Sequence, residues 1–231
     1  MTGGRRPELG FFARAWAVCA KDSSQELKRR VAAASVFFFA ATALALVSFA
    51  IGPFGLPPDV RGRVNASLLW IILFFSAATG LPRAFVREEE TGTGLALRKL
   101  VPGVVVVAGK AVFNFALFLA IAAVSVPAFA LLLEWRIGSP AALALVLFLG
   151  GWGLAVVSTF LSALVARGGQ RNVLFVVVSF PLLVPLLLPA IAATIEASQG
   201  NFAWTPLRVL VAYAGAATSA AWLLASAAWE D

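Results

Sequence analysis

Six long apolar runs alternate with short polar stretches along this chain. They are Val31 to Ile51, Val64 to Leu81, Val104 to Leu133, Ala141 to Ala166, Val173 to Ile195 and Leu207 to Trp229. Each reaches about 18 residues or more, long enough to cross the hydrocarbon of a bilayer as a helix. Turn chemistry separates them. The first run ends at GPFGLPP, the second stops at Pro82, and Ser139-Pro140 opens the fourth, since proline suits a first helical turn. The third run is longer than a bilayer needs. Its leading end holds Lys110 and Asn114, four apart and so on one helical face, and the pattern predicts that Lys110 snorkels to the headgroups.

The most polar internal segment lies between the second and third runs: Arg83 to Pro102, RAFVREEETGTGLALRKLVP. Charge is costly in hydrocarbon, so this segment belongs at a water interface. Thr91 or Thr93 can cap a helix start, and Leu95, Leu97 and Leu100 give it an apolar side. The pattern predicts a short amphipathic helix along the membrane surface, with Glu88, Glu89 and Glu90 leading into it from water. A solvated loop whose charges only fix topology is the competing reading. Residues 1–30 hold a second amphipathic candidate: Phe12, Trp16, Cys19, Ser23 and Leu27 recur at helical spacing among basic residues. An interfacial helix with Trp16 at headgroup depth fits, and a basic tail is the alternative.

Composition turns this pattern into a class. The 231 residues are 61% hydrophobic and only 13% charged, about half the charge of a soluble domain; mean hydropathy is +0.93. Charge placement orients the chain. Residues 1–30 carry seven Lys or Arg. Arg83, Arg87, Arg98, Lys99 and Lys110 follow, then Arg167 and Arg171, which makes 14 on one side. The other side has 4: Arg61, Arg63, Arg136 and Arg208. The positive-inside rule then puts both termini and the 83–102 segment in the cytoplasm. No nucleic-acid partner is implied, because the basic residues distribute as topology signals. There is no histidine and a single cysteine, Cys19. An internal disulfide is excluded, and so are histidine-held metal and haem.

Two further patterns lie within the spans. Pro181, Pro185 and Pro189 line one face of the fifth run. Each removes a backbone donor and presses on the carbonyl four residues back, which predicts a kinked helix packed in protein, serving as a hinge or as an ordinary kinked span. Residues 190–206 after it are weakly apolar and are expected to dip into the outer interface. In the fourth run, GGWG at 150–153 with Ser158, Thr159 and Ser162 makes a small-residue face, suited to close packing in the core or to an oligomer contact.

The order of these features resembles the permease subunits of ABC-2 type transporters. A basic amphipathic segment and two spans precede acids, a Gly-Thr pair, a short helix and a proline; then come a span with Gly109-Lys110 at its inner end and three more spans. FVREEETGTG resembles the loop pattern shared by many such permeases. LLW at 68–70 leading into FFSAATGL, and RGGQRNVLFVVVSFPLLVPLLLPA, are similar to the CcmB family of cytochrome c maturation permeases, also called haem exporter protein B. The resemblance covers essentially the whole chain.

The resemblance implies an all-α integral membrane protein with six transmembrane helices, an N-terminal interfacial amphipathic helix and a cytoplasmic coupling helix. Residues 1–30 would form the amphipathic segment and 31–231 the permease domain, with its coupling loop at 83–102, in the bacterial cytoplasmic (inner) membrane. It implies a homodimer that works with a cytosolic ATP-binding subunit, CcmA, with CcmC and small CcmD, and indirectly with the haem chaperone CcmE, all within membrane lipid. ATP would sit on the partner and haem would be handled by partners, so no cofactor is held directly. The coupling contact would be made by Arg87, Glu88, Glu89, Glu90, Gly92, Thr93, Arg98 and Lys99. The residues agree on one point: no G-x-x-x-x-G-K-[ST] sequence occurs, so ATP work must come from another chain. Two other classes remain open. One is an ABC-2 permease for another cargo, such as a lipid, drug or polysaccharide, which genomic neighbours would distinguish. The other is a membrane enzyme using the loop acids, disfavoured because no metal or nucleophile constellation accompanies them.

Overall fold

The computed structural model describes residues 10–28, 30–51, 57–80, 101–165 and 171–230. Among them the chain forms seven helices: α1 (Phe11–Lys28), α2 (Arg30–Ile51), α3 (Pro58–Gly80), α4 (Gly103–Leu132), α5 (Pro140–Val165), α6 (Arg171–Ser198) and α7 (Trp204–Glu230). No strand occurs among the described residues. Four segments are long and apolar enough to cross a membrane: Gly103–Leu132, Pro140–Leu164, Ser179–Ser198 and Trp204–Ala225. Within α2 the described apolar stretch is the shorter Phe37–Ala50.

Proline sets several helix starts. The Pro57 carbonyl accepts from the Val60 and Arg61 amides at 3.1 and 3.0 Å. With Pro58 opening the helix, α3 begins six residues before the apolar run does, and Arg61 and Arg63 ride on its first turns. Hydrophobicity alone misses this start because those turns are polar. Pro140 opens α5, and the Ser139 hydroxyl accepts from the Ala142 amide at 3.4 Å, a weak cap.

The bundle is built around α5, which packs most extensively on α6 and α7 and also on α4. Its glycines explain the approach. A Cβ on Gly150 would stand 2.4 Å from the Trp70 ring, one on Gly151 2.4 Å from Phe118, and one on Gly153 2.9 Å from Leu186. The small-residue face thus packs inside the chain, the first of the two readings offered for it. Trp70 and Phe118, fully buried, stack on each other with centroids 6.1 Å apart. The outside is apolar too: Phe49 is 90% and Leu131 81% exposed, an arrangement suited to lipid rather than water.

Three cross-helix ties recur with one grammar. The Trp70 indole donates to Thr194 Oγ1 at 2.9 Å, Asn114 Nδ2 to Thr159 Oγ1 at 2.7 Å, and the Trp152 indole to Thr218 Oγ1 at 3.0 Å. Each threonine in turn donates to the carbonyl four residues back: Ala190, Ala155 and Ala214. The hydroxyl is thereby satisfied within its helix and still accepts from a neighbour. In lipid such ties contribute about 0.6 to 1.7 kcal/mol each.

At the end of the bundle away from Gly103, the α4–α5 and α6–α7 connections are joined backbone to backbone. The Gly138 and Ser139 amides donate to the Ser198 and Ala197 carbonyls at 3.0 and 2.8 Å. A Cβ on Gly138 would lie 2.5 Å from the Gly200 nitrogen, and Gly200 itself has φ +90°, so both positions demand glycine. Residues 190–206, expected at the outer interface, are mostly helix: α6 runs on to Ser198, and only a short turn precedes α7. The local sequence is weakly apolar, yet Ala193, Thr194 and Ala197 are buried against the bundle, which supplies what hydropathy lacks.

Candidate functional site

The coupling residues expected from the sequence, Arg87, Glu88, Glu89, Glu90, Gly92, Thr93, Arg98 and Lys99, lie outside the described residues. The structure does describe the frame on either side: α3 up to Gly80, and α4 from Gly103. It also describes what grips that frame.

Helix α1 lies against the leading half of α4, and the fit is close. A Cβ on Gly109 would stand 2.6 Å from the Ala15 carbonyl oxygen and 2.8 Å from Val18 Cβ. One residue on, Lys110 Nζ donates to Asp22 Oδ2 at 3.0 Å. Lys110 is fully buried and the Asp22 side chain is 7% exposed. Lys21 Nζ approaches the other carboxylate oxygen at 3.6 Å from a partly exposed position. Lys110 therefore does not snorkel. Its ammonium turns inward because a carboxylate 88 residues earlier in the chain is carried to it on α1. A carboxylate partner is what a lysine in an apolar helix requires, since an unpaired charge there is expensive.

The face of α1 that packs on the bundle differs from the apolar face read for the membrane interface. Val18, Cys19 and Asp22 are buried, whereas Phe12 is 86% and Trp16 69% exposed. The two aromatics point away from the bundle, which leaves Trp16 free to sit at headgroup depth as the interfacial reading expects. Sequence reasoning missed Asp22. The signal was there: Ala15, Val18, Cys19 and Asp22 fall at helical spacing, and a lysine inside a span needs a counter-charge. Burial pushes the Cys19 thiol above its ordinary pKa; a hydrogen bond with Ser23 pulls it back down, and the charge of Asp22 adds to the rise.

One turn beyond Lys110, Asn114 is buried and tied to Thr159 of α5. A single face of α4 thus holds α1 through Lys110 and α5 through Asn114.

The proline ridge lies on the outside of this chain's own bundle. α6 is one helix from Arg171 to Ser198 through Pro181, Pro185 and Pro189. Pro181 and Pro185 are exposed and Pro189 is half-buried, so the ridge faces outward rather than into the chain's own core. The opposite face carries Leu183, Leu186 and Ala190 inward, which keeps the helix seated despite the lost backbone donors.

The CcmB protein family has a sequence model that matches residues 13–229 of this chain. No curated protein matches it.

Proposed function

Because the chain belongs to the CcmB protein family, we propose that it is the membrane permease subunit of an ATP-driven complex for cytochrome c maturation, and that its task is mechanical. A separate cytosolic ATP-binding subunit, CcmA, docks on the 83–102 loop. Closure of that subunit around ATP displaces the loop, and the loop displaces α3 and α4, whose ends it joins. Two packed states biased differently by ATP are what coupling requires. This chain performs no chemistry on ATP or haem. CcmC and CcmD complete the assembly, two copies of this chain form its membrane core, and the work serves release of haem-loaded CcmE. The arrangement in the membrane is six spans, α2 to α7, with α1 on the surface and both termini cytoplasmic.

The observation that carries this reading is the clamp beside the loop. Lys110 stands seven residues after α4 begins and pairs with Asp22 of α1 at 3.0 Å with both groups buried. A helix held this way moves with its neighbours. Glu88, Glu89 and Glu90 face basic groups of the ATP-binding subunit, while Arg98 and Lys99 meet anionic lipid or its acids.

The test is charge reversal of Glu88, Glu89 and Glu90 to lysine in the assembled complex. Truncating one side of a partly desolvated pair costs about 2 to 5 kcal/mol of association. The expected result is normal insertion of this subunit, much weaker retention of the ATP-binding subunit and lost cytochrome c maturation. Reversal at Arg63 serves as the control and leaves retention intact. Full retention with full maturation after the triple change would show that the acids are only a solvated face.

A further inference from the structure

At the end of the bundle opposite Gly103, the first turns of α3, the α4–α5 connection and the end of α6 enclose a hollow of about 750 Å³. Its wall includes Arg61, Arg63, Glu134, Trp135, Arg136 and Gln199. Three arginines and one glutamate therefore line a single recess in a chain that carries only 18 basic residues in all. Arginine's planar fork matches carboxylate and phosphate oxygens in pairs, and it is weakly hydrated enough to work in a half-buried setting.

Two further observations single out this recess. Glu134 has φ 48°, the one described non-glycine residue with positive φ. This left-handed step is what ends α4 and turns Trp135 and Arg136 into the wall; such backbone conformations persist where the surroundings hold them, and they cluster at binding sites. Trp135 is buried, its ring edge-on to Phe129 with centroids 6.2 Å apart. Its indole N–H has no acceptor among the described residues, and buried donors of that kind call for an explanation. The floor is rigid, because the Gly138 and Ser139 amides are bonded to the end of α6. At the same end Phe202 and Trp204 are exposed with their rings 5.3 Å apart, the placement of an interfacial aromatic belt.

We propose that this hollow binds the oxyanion end of a membrane-borne amphiphile, with Arg63 and Arg136 gripping a carboxylate or phosphate while the apolar body rests in the surrounding interface. Arg61 and Trp135 shape the inner wall. The site lies at the far end from the coupling loop and stands on its own geometry, whatever drives that loop.

The test uses the full chain in phosphatidylcholine nanodiscs and the exposed pair Arg63→Gln and Arg136→Gln, singly and together. Two probes distinguish the sources of the oxyanion. Iron protoporphyrin IX is compared with its dimethyl ester, which keeps the ring and loses the carboxylates; short-chain phosphatidylglycerol is compared with the phosphatidylcholine of the same chain length. A carboxylate ligand gives tight binding of the free acid, weak binding of the ester, and affinity for the acid falling about tenfold or more for each arginine lost. A phosphate ligand gives the same arginine dependence for phosphatidylglycerol and none for phosphatidylcholine. Either outcome supports the site. It is overturned if neither acidic probe loses affinity in the double variant while the protein's melting temperature is unchanged.

Discussion

Replacing Asp22 with alanine tests the clamp at its least replaceable atom. At 3.0 Å and an effective dielectric of about 20, the attraction between Lys110 and Asp22 is about 5 kcal/mol. Desolvation of two buried ions, several kcal/mol each, offsets much of that. The intact pair is therefore nearly neutral, but removing one partner leaves the other's desolvation uncompensated, at about 3 to 5 kcal/mol. Lys110 also interacts beyond this pair, which places the expected loss near the lower bound, about 3 kcal/mol. Lys21, more exposed, contributes little on the Asp22 side. The loss falls on the α1–α4 contact, and the chain supplies its own reporter there. Cys19 is the single cysteine and is buried on the packing face of α1. If it reacts through local release of α1, a loss of about 3 kcal/mol multiplies the open population by about 100. Release also removes the burial that holds the thiol's pKa up, so more of it is reactive thiolate at a given pH. Maleimide labelling of the purified protein near neutral pH therefore accelerates by about two orders of magnitude in Asp22→Ala. The double variant Asp22→Leu with Lys110→Met, apolar on both sides, returns labelling toward the native rate, since apolar replacement of a buried pair is tolerated. Native labelling rate and native melting temperature in Asp22→Ala would refute the reasoning.

Other outcomes follow from the same structure. With Cys19 replaced by serine, a cysteine at Glu89 labels from the cytoplasm and one at Arg63 from the opposite side; labelling of the former from outside would overturn the orientation. The isolated chain holds no tightly ligated six-coordinate haem, because histidine is absent, Cys19 is buried on α1, and the Tyr213 hydroxyl already donates to the Leu182 carbonyl; a stoichiometric six-coordinate Soret spectrum would contradict this. Gly151→Ala lowers stability by about 1 to 3 kcal/mol, since the new Cβ meets the fully buried Phe118 ring at 2.4 Å, and a melting temperature equal to the native one would count against it. Trp70→Phe removes the donor to Thr194 and costs about 1 kcal/mol by the same measurement.

The last four apolar runs were the most legible part of the fold, because each coincides with a helix among the described residues that is long and apolar enough to cross a membrane. Local rules read their ends less well. The start of α3 was hidden by Asp59, Arg61 and Arg63, polar residues that nonetheless follow a proline pair able to open a helix. Lys110 was read by its nearest water, although its position is set by Asp22, which no spacing rule connects to it. The outward Phe12 and Trp16 suit the interfacial helix read from their spacing, but the face of α1 that packs on protein, Val18, Cys19 and Asp22, was not read, because a surface helix has two contexts, protein and lipid, and periodicity does not separate them. The GGWG face was legible because glycines at span positions have few other uses. The hollow was not: Arg61, Arg63 and Arg136 entered only as charges on one side. The stretches that bring them together, the α3 start and the α4–α5 connection, lie more than 70 residues apart. A sharper signal was available in a short connection between two spans that held both an arginine and a tryptophan.

The Gly138–Gly200 contact has a consequence for biogenesis. A multi-span chain enters the bilayer progressively, from its N-terminal end, while it is still being made. The α4–α5 connection is laid down some sixty residues before its partner, and its amides wait for the Ser198 and Ala197 carbonyls until α6 has crossed. Until then those donors are satisfied by water at the interface. Closure also needs the left-handed turn at Gly200, so it follows the synthesis of all of α6. Insertion of this chain thus has a late step that stitches an early hairpin to a late one. A bulky residue at Gly138 would act on that step, trapping molecules whose spans have all been inserted but whose bundle has not shut.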